Sequence, residues 1–551
     1  MSAVSFDRAA VSVAVLCALA APLQAQAQRP AQAPDFTFRA SGPTPFAADC
    51  NGVAQEGTLY PNSEVEPFVA VNPRYPLNLI GVWQQDRWSN GGSQGLGTAY
   101  SFNGGVTWRR VFLPYSRCAG GNAVNRGDYE RASDPWVSFS PNGVAHQMGL
   151  AFNNTLAPGQ TASAMLASRS ADGGRTWSTP ITLQADTEER FNDKNTITAD
   201  PTDSRYVYAV WDRLSGVPGE GAGPTLLARS VNNGVSWEPT RIVFDPGEAA
   251  QTIGNRIEVL PDGTLINLFT LIDYITGELT AQIIRSTDKG ATWSAPIKIA
   301  DELPLGTADP ETGAPVRDGA ILPQLAIGPR GRIVVVWQDA RFSGNVVDGI
   351  ALSQSGDGGL TWSAPVQVNR DPSVAAFTPS VHIRNDGTIG VTYYDFRSNT
   401  ADPATLPTDY WLARSRDGLT WRESRVSRAF DLAKAPVARG YFLGDYQGLV
   451  SLGPLFLPFY VKTTDDADNR NDVYLNFALG LASAAAQGAP SVSRQVEQEE
   501  AALPAYSVQG LERALPVVPA QWRSATMRNV ERVMRERVPA RMKLPAQNLT
   551  R

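Results

Sequence analysis

Short apolar segments alternate with turn residues along most of the chain, and their order repeats. An apolar strand is followed by a Pro or Gly turn and then by a second apolar strand that ends in an aromatic residue, an Asp and an Arg. Apolar runs of this length, bounded by turn signals, indicate β-strands joined by hairpins. Clear copies of the strand end are Val82–Arg87, Val210–Arg213, Val336–Arg341 and Tyr393–Arg397.

The repeat has a regular period. Aligning the units on the turn at the first strand places equivalent positions 56 to 68 residues apart. Self-similarity at a fixed period predicts a repeat architecture, so one fold can absorb most of a long chain. The equivalent positions are Glu66, Asp134, Lys194, Gly254, Leu322, Thr378 and Asp445.

Six turns between apolar strands share the template Ser-x-(Asp/Asn)-x-Gly-x-(Thr/Ser)-Trp. The Asp or Asn side chain can accept turn amides, the Gly tolerates a positive φ, and the Trp can cover the neighbouring sheet. The copies are Ser101–Trp108, Ser170–Trp177, Ser230–Trp237, Ser286–Trp293, Ser355–Trp362 and, one residue shorter, Ser415–Trp421.

This turn is the Asp-box, and through it the chain resembles the sialidase-like β-propeller superfamily over nearly all of its mature length. The resemblance implies an all-β fold, a single propeller of four-stranded blades. Seven units favour seven blades, with six as the alternative. The last unit reads as three strands without a box, and an N-terminal strand around residues 36–39 could supply its fourth strand.

The candidate site lies on the face opposite the Asp-boxes, where carboxylates, arginines and phenols gather. Arg can clamp a carboxylate, and a carboxylic acid of raised pKa can protonate a glycosidic oxygen. The resemblance implies Asp348 as general acid, with Asp134 as the alternative, and a Tyr nucleophile at Tyr394 or Tyr446. The expected substrate-binding residues are Arg256, Arg341, Arg397, Glu66, Asp193 and Asp445. Because Asp and Arg recur in four units, structural ion pairs are the competing interpretation of those arginines.

These residues leave three functions open. The leading hypothesis is an exported glycoside hydrolase that acts on terminal acidic sugars of glycans. The second is a polysaccharide lyase or another glycosidase on uronate-containing polymers. The third is a non-catalytic propeller that binds a glycan or a protein, and it predicts that none of the candidate Asp or Tyr residues has a perturbed environment.

Composition narrows the partners. Hydrophobic residues make up 42% of the 551, with 48 Gly and 40 Pro, as in a turn-rich globular protein. The net charge of −6 argues against nucleic acid as a partner. The two histidines are not spaced as metal ligands, so we expect neither a metal nor a cofactor. An acidic loop at 465–472 could offer calcium ligands, but a solvated loop is the preferred interpretation. We expect a monomer.

The N-terminus predicts export. Arg8, the apolar run 9–21 and Ala25-Gln26-Ala27 form a signal-peptide pattern, and no stretch is long and apolar enough to span a membrane. Cleavage leaves Cys50 and Cys118, which in an oxidising compartment suggest one disulfide, the alternative being two separate thiols. We therefore expect a signal peptide (1–27), a propeller (28–480), a linker with a basic tail that is helical in part (481–551), and a periplasmic or secreted protein.

Overall fold

A computed structural model of the protein describes residues 37–155, 160–187 and 189–478, and the backbone of 491–492. The predicted signal peptide and the predicted helix in the basic tail lie outside these residues. The described elements are β-strands joined by turns, with three short 3-10 helices at Arg117–Ala119, Arg341–Ser343 and Leu432–Lys434. Nowhere in this part of the chain does a helix combine the length and apolarity needed to cross a membrane.

The strands form four-stranded antiparallel units, each a simple meander in chain order. After β1 (Thr37–Arg39) and β2 (Leu59–Tyr60) come β3 (Val65–Val71), β4 (Leu79–Trp88), β5 (Ser93–Ser101) and β6 (Arg109–Phe112) in the first unit. The second contains β7 (Arg131–Phe139), β8 (Ala145–Phe152), β9 (Ser163–Ser170) and β10 (Ile181–Asp186). The third contains β11 (Arg190–Ala199), β12 (Val207–Ser215), β13 (Thr225–Ser230) and β14 (Arg241–Phe244). The fourth contains β15 (Ala250–Val259), β16 (Leu265–Asp273), β17 (Leu279–Ser286) and β18 (Ile297–Asp301).

The remaining strands continue the series. After β19 (Val316–Arg317), the fifth unit consists of β20 (Gln324–Ile327), β21 (Ile333–Asp339), β22 (Gly349–Ser355) and β23 (Val366–Gln367). The sixth consists of β24 (Ala376–Ile383), β25 (Ile389–Asp395), β26 (Pro407–Ser415) and β27 (Thr420–Arg425), followed by β28 (Phe430–Asp431) and β29 (Tyr441–Phe442). The seventh consists of β30 (Gly448–Leu452), β31 (Leu455–Asp466) and β32 (Asn469–Asn476), and β33 (Ser491–Val492) pairs with β27.

The units close into a ring. The first strands of neighbouring units (β3, β7, β11, β15, β20, β24 and β30) contact one another in that order, and β30 contacts β3. The N-terminal β1 pairs with β32, with Phe38 opposite Leu475, and so completes the last unit with its fourth strand. The pairings therefore give seven units around a central channel, and the predicted all-β propeller is confirmed.

The Asp-boxes lie between the third and fourth strands, on the face opposite the starts of the first strands. In the second unit, Ser170 Oγ accepts the amide of Gly174 at 2.9 Å, and Asp172 Oδ1 accepts the amide of Thr176 at 2.9 Å. The indole of Trp177 donates back to Gly174 O at 3.2 Å. Gly174 has a φ of 94°, which a side chain would make costly. These bonds are internal to the turn, so the boxes are part of the scaffold.

Long connections cover the other face. The predicted disulfide between Cys50 and Cys118 is present, with a Cα–Cα distance of 4.8 Å, and it links the connection before β2 to the connection after β6. Two others meet where β19 pairs in parallel with β29, so that a segment before the fifth unit touches one before the seventh. This face therefore carries irregular backbone above the channel, where functional side chains are commonly placed.

Candidate functional site

Five of the seven first strands contain a β-bulge at the channel mouth. The ladder with the second strand shifts register at each, as between Val65 and Phe68. The residue at each bulge adopts a left-handed conformation, which is uncommon for residues other than Gly and costs about 1 kcal/mol or more. Bulges of this kind redirect a side chain. The residues are Glu66, Asp134, Lys194, Gly254 and Thr378, with φ between 47° and 72°.

Lys194 lies at the centre of a cluster of carboxylates. Its Nζ is 2.7 Å from Asp445 Oδ2 and 3.6 Å from both Glu66 Oε1 and Asp134 Oδ1. The Gln84 amide donates to Glu66 and, at 2.9 Å, to Ser133 Oγ, whose hydroxyl donates to Asp134 Oδ1. We call Glu66, Asp134, Asp193, Lys194, Asp445, Arg87 and Arg317 the mouth cluster.

Two arginines complete the mouth cluster. The guanidinium of Arg317 grips Asp445 with two nitrogens, Nε lying 2.9 Å from Oδ1. Arg87 donates to Gln84 Oε1 at 2.6 Å, while its Nε has no hydrogen-bond partner. Both guanidinium groups lie over the ring of Phe442, at 4.8 and 4.3 Å from its centroid. None of the ion pairs among the described residues includes Arg87. Burial and Arg317 lower its pKa to about 10, while Glu66, Asp445 and Asp134 act in the opposite direction.

The carboxyl groups divide into two protonation states. Burial raises the pKa of Glu66 to about 8, and burial together with Asp134 raises that of Asp193 to about 8. Burial also acts against ionisation of Asp134, but Lys194 and the hydrogen bonds from Glu66 and Asp193 outweigh it and lower its pKa. At neutral pH the cluster therefore holds a protonated acid beside a carboxylate.

The two cations bound to Asp445 fix the remaining charges. Burial opposes ionisation of Asp445, yet Arg317 and Lys194 hold its pKa well below the ordinary range. Burial likewise opposes the charge of Lys194, and Asp134 and Asp445 raise its pKa well above the ordinary value. Lys194 is therefore a permanent cation and not a base.

Asp212 lies opposite Asp193 in the β11–β12 ladder and is fully buried. Neither of its carboxyl oxygens has a hydrogen-bonding side chain, and none of the described ion pairs includes it. Burial and the neighbouring Asp193 raise its pKa well above the ordinary range. Asp212 is thus a neutral acid behind Asp193.

A small cavity opens onto the mouth cluster. The polar lining consists of Ser133 and five members of the mouth cluster, all except Glu66 and Asp445. The rest of the lining is formed by Gly92, Leu150, Phe152 and Phe191. Below the cluster the channel is filled, because Phe68 stacks on Trp136 at 3.6 Å and Tyr446 meets Trp136 edge-on at 5.2 Å. Asp193 lines the cavity and is 5% exposed, whereas Glu66 is fully buried.

The structure brings together Asp134, Glu66, Asp193 and Asp445 from the predicted set, but it does not place Tyr394 with them. Tyr394 is enclosed in the core, 4.4 Å from the ring of Tyr410, and its hydroxyl donates to Val461 O at 2.7 Å. The expectation of a Tyr394 nucleophile is therefore corrected.

Tyr446 lies next to the mouth cluster, but its hydroxyl faces Pro135 O at 3.4 Å. Burial raises its pKa well above the ordinary range, and Glu66 and Asp134 add to the effect. Because these neighbours disfavour a phenolate, Tyr446 is poorly placed to attack a sugar and contributes its ring to the channel floor.

Two of the predicted substrate arginines are occupied by neighbouring acids. Arg341 forks onto Asp339, with both contacts at 2.7 Å. Arg397 pairs with Asp395 and with Glu423, the latter at 2.7 Å. These are the structural ion pairs of the competing interpretation, and they correct both assignments.

Arg256 and Asp348 are also placed elsewhere. Arg256 lies below the mouth cluster, paired with Glu258 at 2.7 Å and 5.3 Å from the ring of Trp136. Asp348 is 1% exposed and accepts the amides of Leu305 and Gly306 at 2.8 and 2.9 Å. Burial and Asp318 raise the pKa of Asp348 to about 7. The structure does not bring Asp348 to the cavity of the mouth cluster, and its predicted role as general acid stays a prediction.

Arg317 was missed, and Arg87, Asp212 and Lys194 were located by the repeat but given no role. Arg317 lies in a connection whose sequence carries no repeat signal, so nothing marked it. Arg87 and Asp212 lie at strand ends that the repeat identifies. In these two units Asp and Arg are adjacent, without the residue that separates them in the other units, and this difference was the available signal. Lys194 was aligned with the other bulge residues, and a lone cation among acidic positions would have singled it out.

The fold has similar solved structures. A search of protein-family models finds no match. The Hadza microbial sialidase Hz136 is 16% identical with a TM-score of 0.41, covering 72% of this chain and 76% of that one. The Trypanosoma rangeli sialidase in complex with sialic acid is 13% identical with a TM-score of 0.39, covering 68% and 56%. The GH93 α-L-arabinofuranosidase of Fusarium graminearum is 12% identical with a TM-score of 0.38, covering 61% and 91%. The strand pairing, and not these similarities, establishes the propeller.

Proposed function

We propose that the protein is a glycoside hydrolase that acts on a terminal sugar bearing a carboxylate, with its reaction centre at the mouth cluster. The observation that carries the proposal is the division of three adjacent buried carboxyls into protonated Glu66 and Asp193 and ionised Asp134. Paired carboxyls whose pKa values diverge are the usual machinery of glycoside hydrolysis. A non-catalytic binding propeller, by contrast, predicts no such perturbed group among the candidate residues.

Asp193 is the proton donor in this proposal. It lines the cavity, and its proton is directed at Asp134 while no sugar is bound. A glycosidic oxygen that enters between the two groups receives that proton as the bond to the leaving group breaks. Asp134 remains ionised beside the positive charge that develops on the sugar ring, as base or nucleophile. Glu66, which does not line the cavity, holds Lys194 and Gln84.

The cations set the substrate class. Arg87 is in none of the ion pairs of the described residues and Arg317 has an unpartnered Nη1, and both line the cavity and lie over the ring of Phe442. A carboxylate on the sugar can bridge the two guanidinium groups, since planar nitrogens match carboxylate oxygens. The closed floor favours a chain end over a polymer that passes through the channel.

Hydrolysis of a fluorogenic sialoside by the purified chain tests the proposal, with a fluorogenic arabinofuranoside as the neutral comparison. We expect fluorophore release from the sialoside and a loss of at least about 100-fold in Asp193→Asn. Asp395→Asn, a buried Asp in a structural ion pair, is the matched control and should retain the rate. Release from neither substrate contradicts a glycosidase of this type, and ultraviolet absorbance on a uronate polymer would indicate a lyase instead.

Export completes the proposal. The predicted signal peptide and the Cys50–Cys118 disulfide agree with an oxidising compartment. N-terminal sequencing of the protein recovered from its native cell should begin after Ala25 or Ala27. A start at Met1 would contradict export by this signal.

A further inference from the structure

The connection between the fourth and fifth units is long and crosses the channel mouth. Residues 302–323, which we call the strap, lead from the end of β18 to the start of β20. Its middle folds back on itself, with Val316 N donating to Thr307 O at 2.9 Å. Its far end forms β19, which pairs with β29 and brings Arg317 to Asp445. The strap therefore delivers one of the two arginines of the proposed site.

Asp348 holds the near end of the strap. Its two carboxylate oxygens accept the amides of Leu305 and Gly306, one each, at 2.8 and 2.9 Å. Asp348 immediately precedes β22 of the fifth unit, and the strap has no strand pairing at residues 303–306. Together with the bond from Ala340 N to Leu303 O at 2.9 Å, these two bonds attach the near end of the strap to the fifth unit.

Asp318 holds the strap from within. Its Oδ2 accepts the amide of Thr307 at 2.8 Å, and its Oδ1 that of Ala320 at 3.1 Å. One amide nitrogen, Gln338 Nε2, donates to both anchors, at 2.9 Å to Asp318 and 3.3 Å to Asp348. The anchors are thereby joined in one buried network next to Arg317.

The strap packs closely against the backbone of Asp445. A Cβ built on Gly319 would lie 2.2 Å from Asp445 O, closer than any real contact, and Gly319 has a φ of 64°. The strap backbone therefore lies directly against the residue that Arg317 grips. A small displacement of the strap must move Arg317 relative to Asp445.

We propose that Asp348 and Asp318 are positioning residues: they fix the strap on the fifth unit and so hold Arg317 in the place where it meets the substrate carboxylate. The inference rests on the proposed function for the role of Arg317, but the mechanical coupling from Asp348 to β19 does not. Neither residue touches the cavity, so each acts through the strap alone.

Hydrogen–deuterium exchange of the full chain tests the coupling without any substrate. Asp348→Asn keeps one acceptor and places an amide group against a backbone donor. We expect the amides of Leu305 and Gly306, and also those of Val316 and Tyr441, to exchange roughly tenfold faster. The matched control Asp395→Asn removes a buried carboxylate from the neighbouring unit and should leave these four amides unchanged.

Kinetics distinguish the two levels of the proposal. With the sialoside, Asp348→Asn and Gly319→Ala should both raise KM several-fold with little change in kcat, since Asp134 and Asp193 are untouched. Gly319→Ala displaces Arg317 with both anchors in place, which covers the case in which Asp348→Asn does not fold. Unchanged exchange at Val316 and Tyr441 in folded Asp348→Asn overturns the coupling. Absence of any turnover in the unmodified chain overturns the proposed function instead. The coupling through the strap is then tested by the exchange measurement alone.

Discussion

The Asp and Arg residues at the ends of the second strands pair with each other in some units and have separate partners in others. In the fifth and sixth units Asp and Arg are separated by one residue, and Arg341 and Arg397 fold back onto Asp339 and Asp395. In the first unit Asp86 and Arg87 are adjacent in sequence. There Asp86 accepts the amide of Asn62 at 2.8 Å, while Arg87 reaches the channel mouth.

The position of the strand end explains the difference. Asp339 and Asp395 are the last residues of β21 and β25, so the chain turns after them and the Arg two residues on returns to the carboxylate. Asp86 and Arg87 both lie within β4, and there the adjacent side chains have separate partners. The third unit shows the same separation, since Asp212 stays unpaired and Arg213 lies 3.7 Å from Asp186. The copies with a spacing of two are scaffold, and the first of the two copies with adjacent Asp and Arg contributes Arg87 to the site.

The largest effect should come from the centre of the mouth cluster. Lys194→Met leaves Asp445, Asp134 and Glu66 buried without their shared cation. Removing one partner of a buried charge group costs about 3–5 kcal/mol, so we expect a loss of that size in the free energy of unfolding. Chemical denaturation measures it.

A second lysine provides the comparison. Lys289 Nζ lies 2.8 Å from Asp200 on the Asp-box face and is partly exposed. Lys289→Met should cost about 1 kcal/mol, because the ammonium is partly solvated and the buried Asp200 keeps its hydrogen bonds from Tyr208 and Thr202. Equal losses in the two variants would mean that the mouth cluster is no more tightly coupled than the scaffold.

The next effect concerns catalysis. Asp134→Asn removes the ionised carboxylate next to Asp193, and we expect kcat on the sialoside to fall by about 1000-fold. Asp395→Asn removes a scaffold carboxylate of the same length and should lower thermal stability with little effect on kcat. A similar fall in kcat for both would show that unfolding, and not chemistry, limits the Asp134 variant.

The sequence was sufficient for the fold and for part of the site. Six turns of one template and one regular period identify the propeller, because each unit must present the same faces to its neighbours. The alignment of the units on the turn at the first strand also located Glu66, Asp134, Lys194 and Asp445. Arg317 was beyond prediction, since its position depends on the strap pairing with β29, a contact between residues more than 100 positions apart. Asp348 matched the motif of an acid but not its surroundings, which only the packing of the strap reveals.

A smaller effect should follow from the unpaired arginine. Arg87→Lys keeps a charge but loses the planar fork, so we expect kcat/KM on the sialoside to fall roughly 30-fold, mainly through KM. Arg397→Lys weakens a scaffold pair and should leave KM unchanged. Turnover of a neutral arabinofuranoside, if present, should not respond to either change. An unchanged KM in Arg87→Lys would show that Arg87 does not contact the substrate.

The smallest effect is a pH dependence that separates two buried acids of the same strength. The pKa of Asp193 and that of Glu302 are both raised to about 8 by burial, yet only Asp193 lies at the mouth cluster. If Asp193 donates the proton, kcat/KM must fall as pH rises through about 8, to about half at that pH. Glu302→Gln should leave this fall of kcat/KM at the same pH. A fall that shifts to another pH in Glu302→Gln would mean that the titrating group lies outside the site.

Both acids should change the pH dependence of stability in the same direction, but only one of them should also change the pH dependence of the rate. Because each folded-state pKa lies above the ordinary value, the protonated form favours the native state, and this contribution is lost as pH rises toward about 8. The contribution of these acids to the urea midpoint should therefore decrease between about pH 4 and pH 8 and level off above it, and Glu302→Gln should reduce that decrease. Glu302 then changes the pH dependence of stability and not that of the rate, while Asp193 changes both. A buried carboxyl of raised pKa is thus common to scaffold and site, and only its access to the cavity gives it a chemical role.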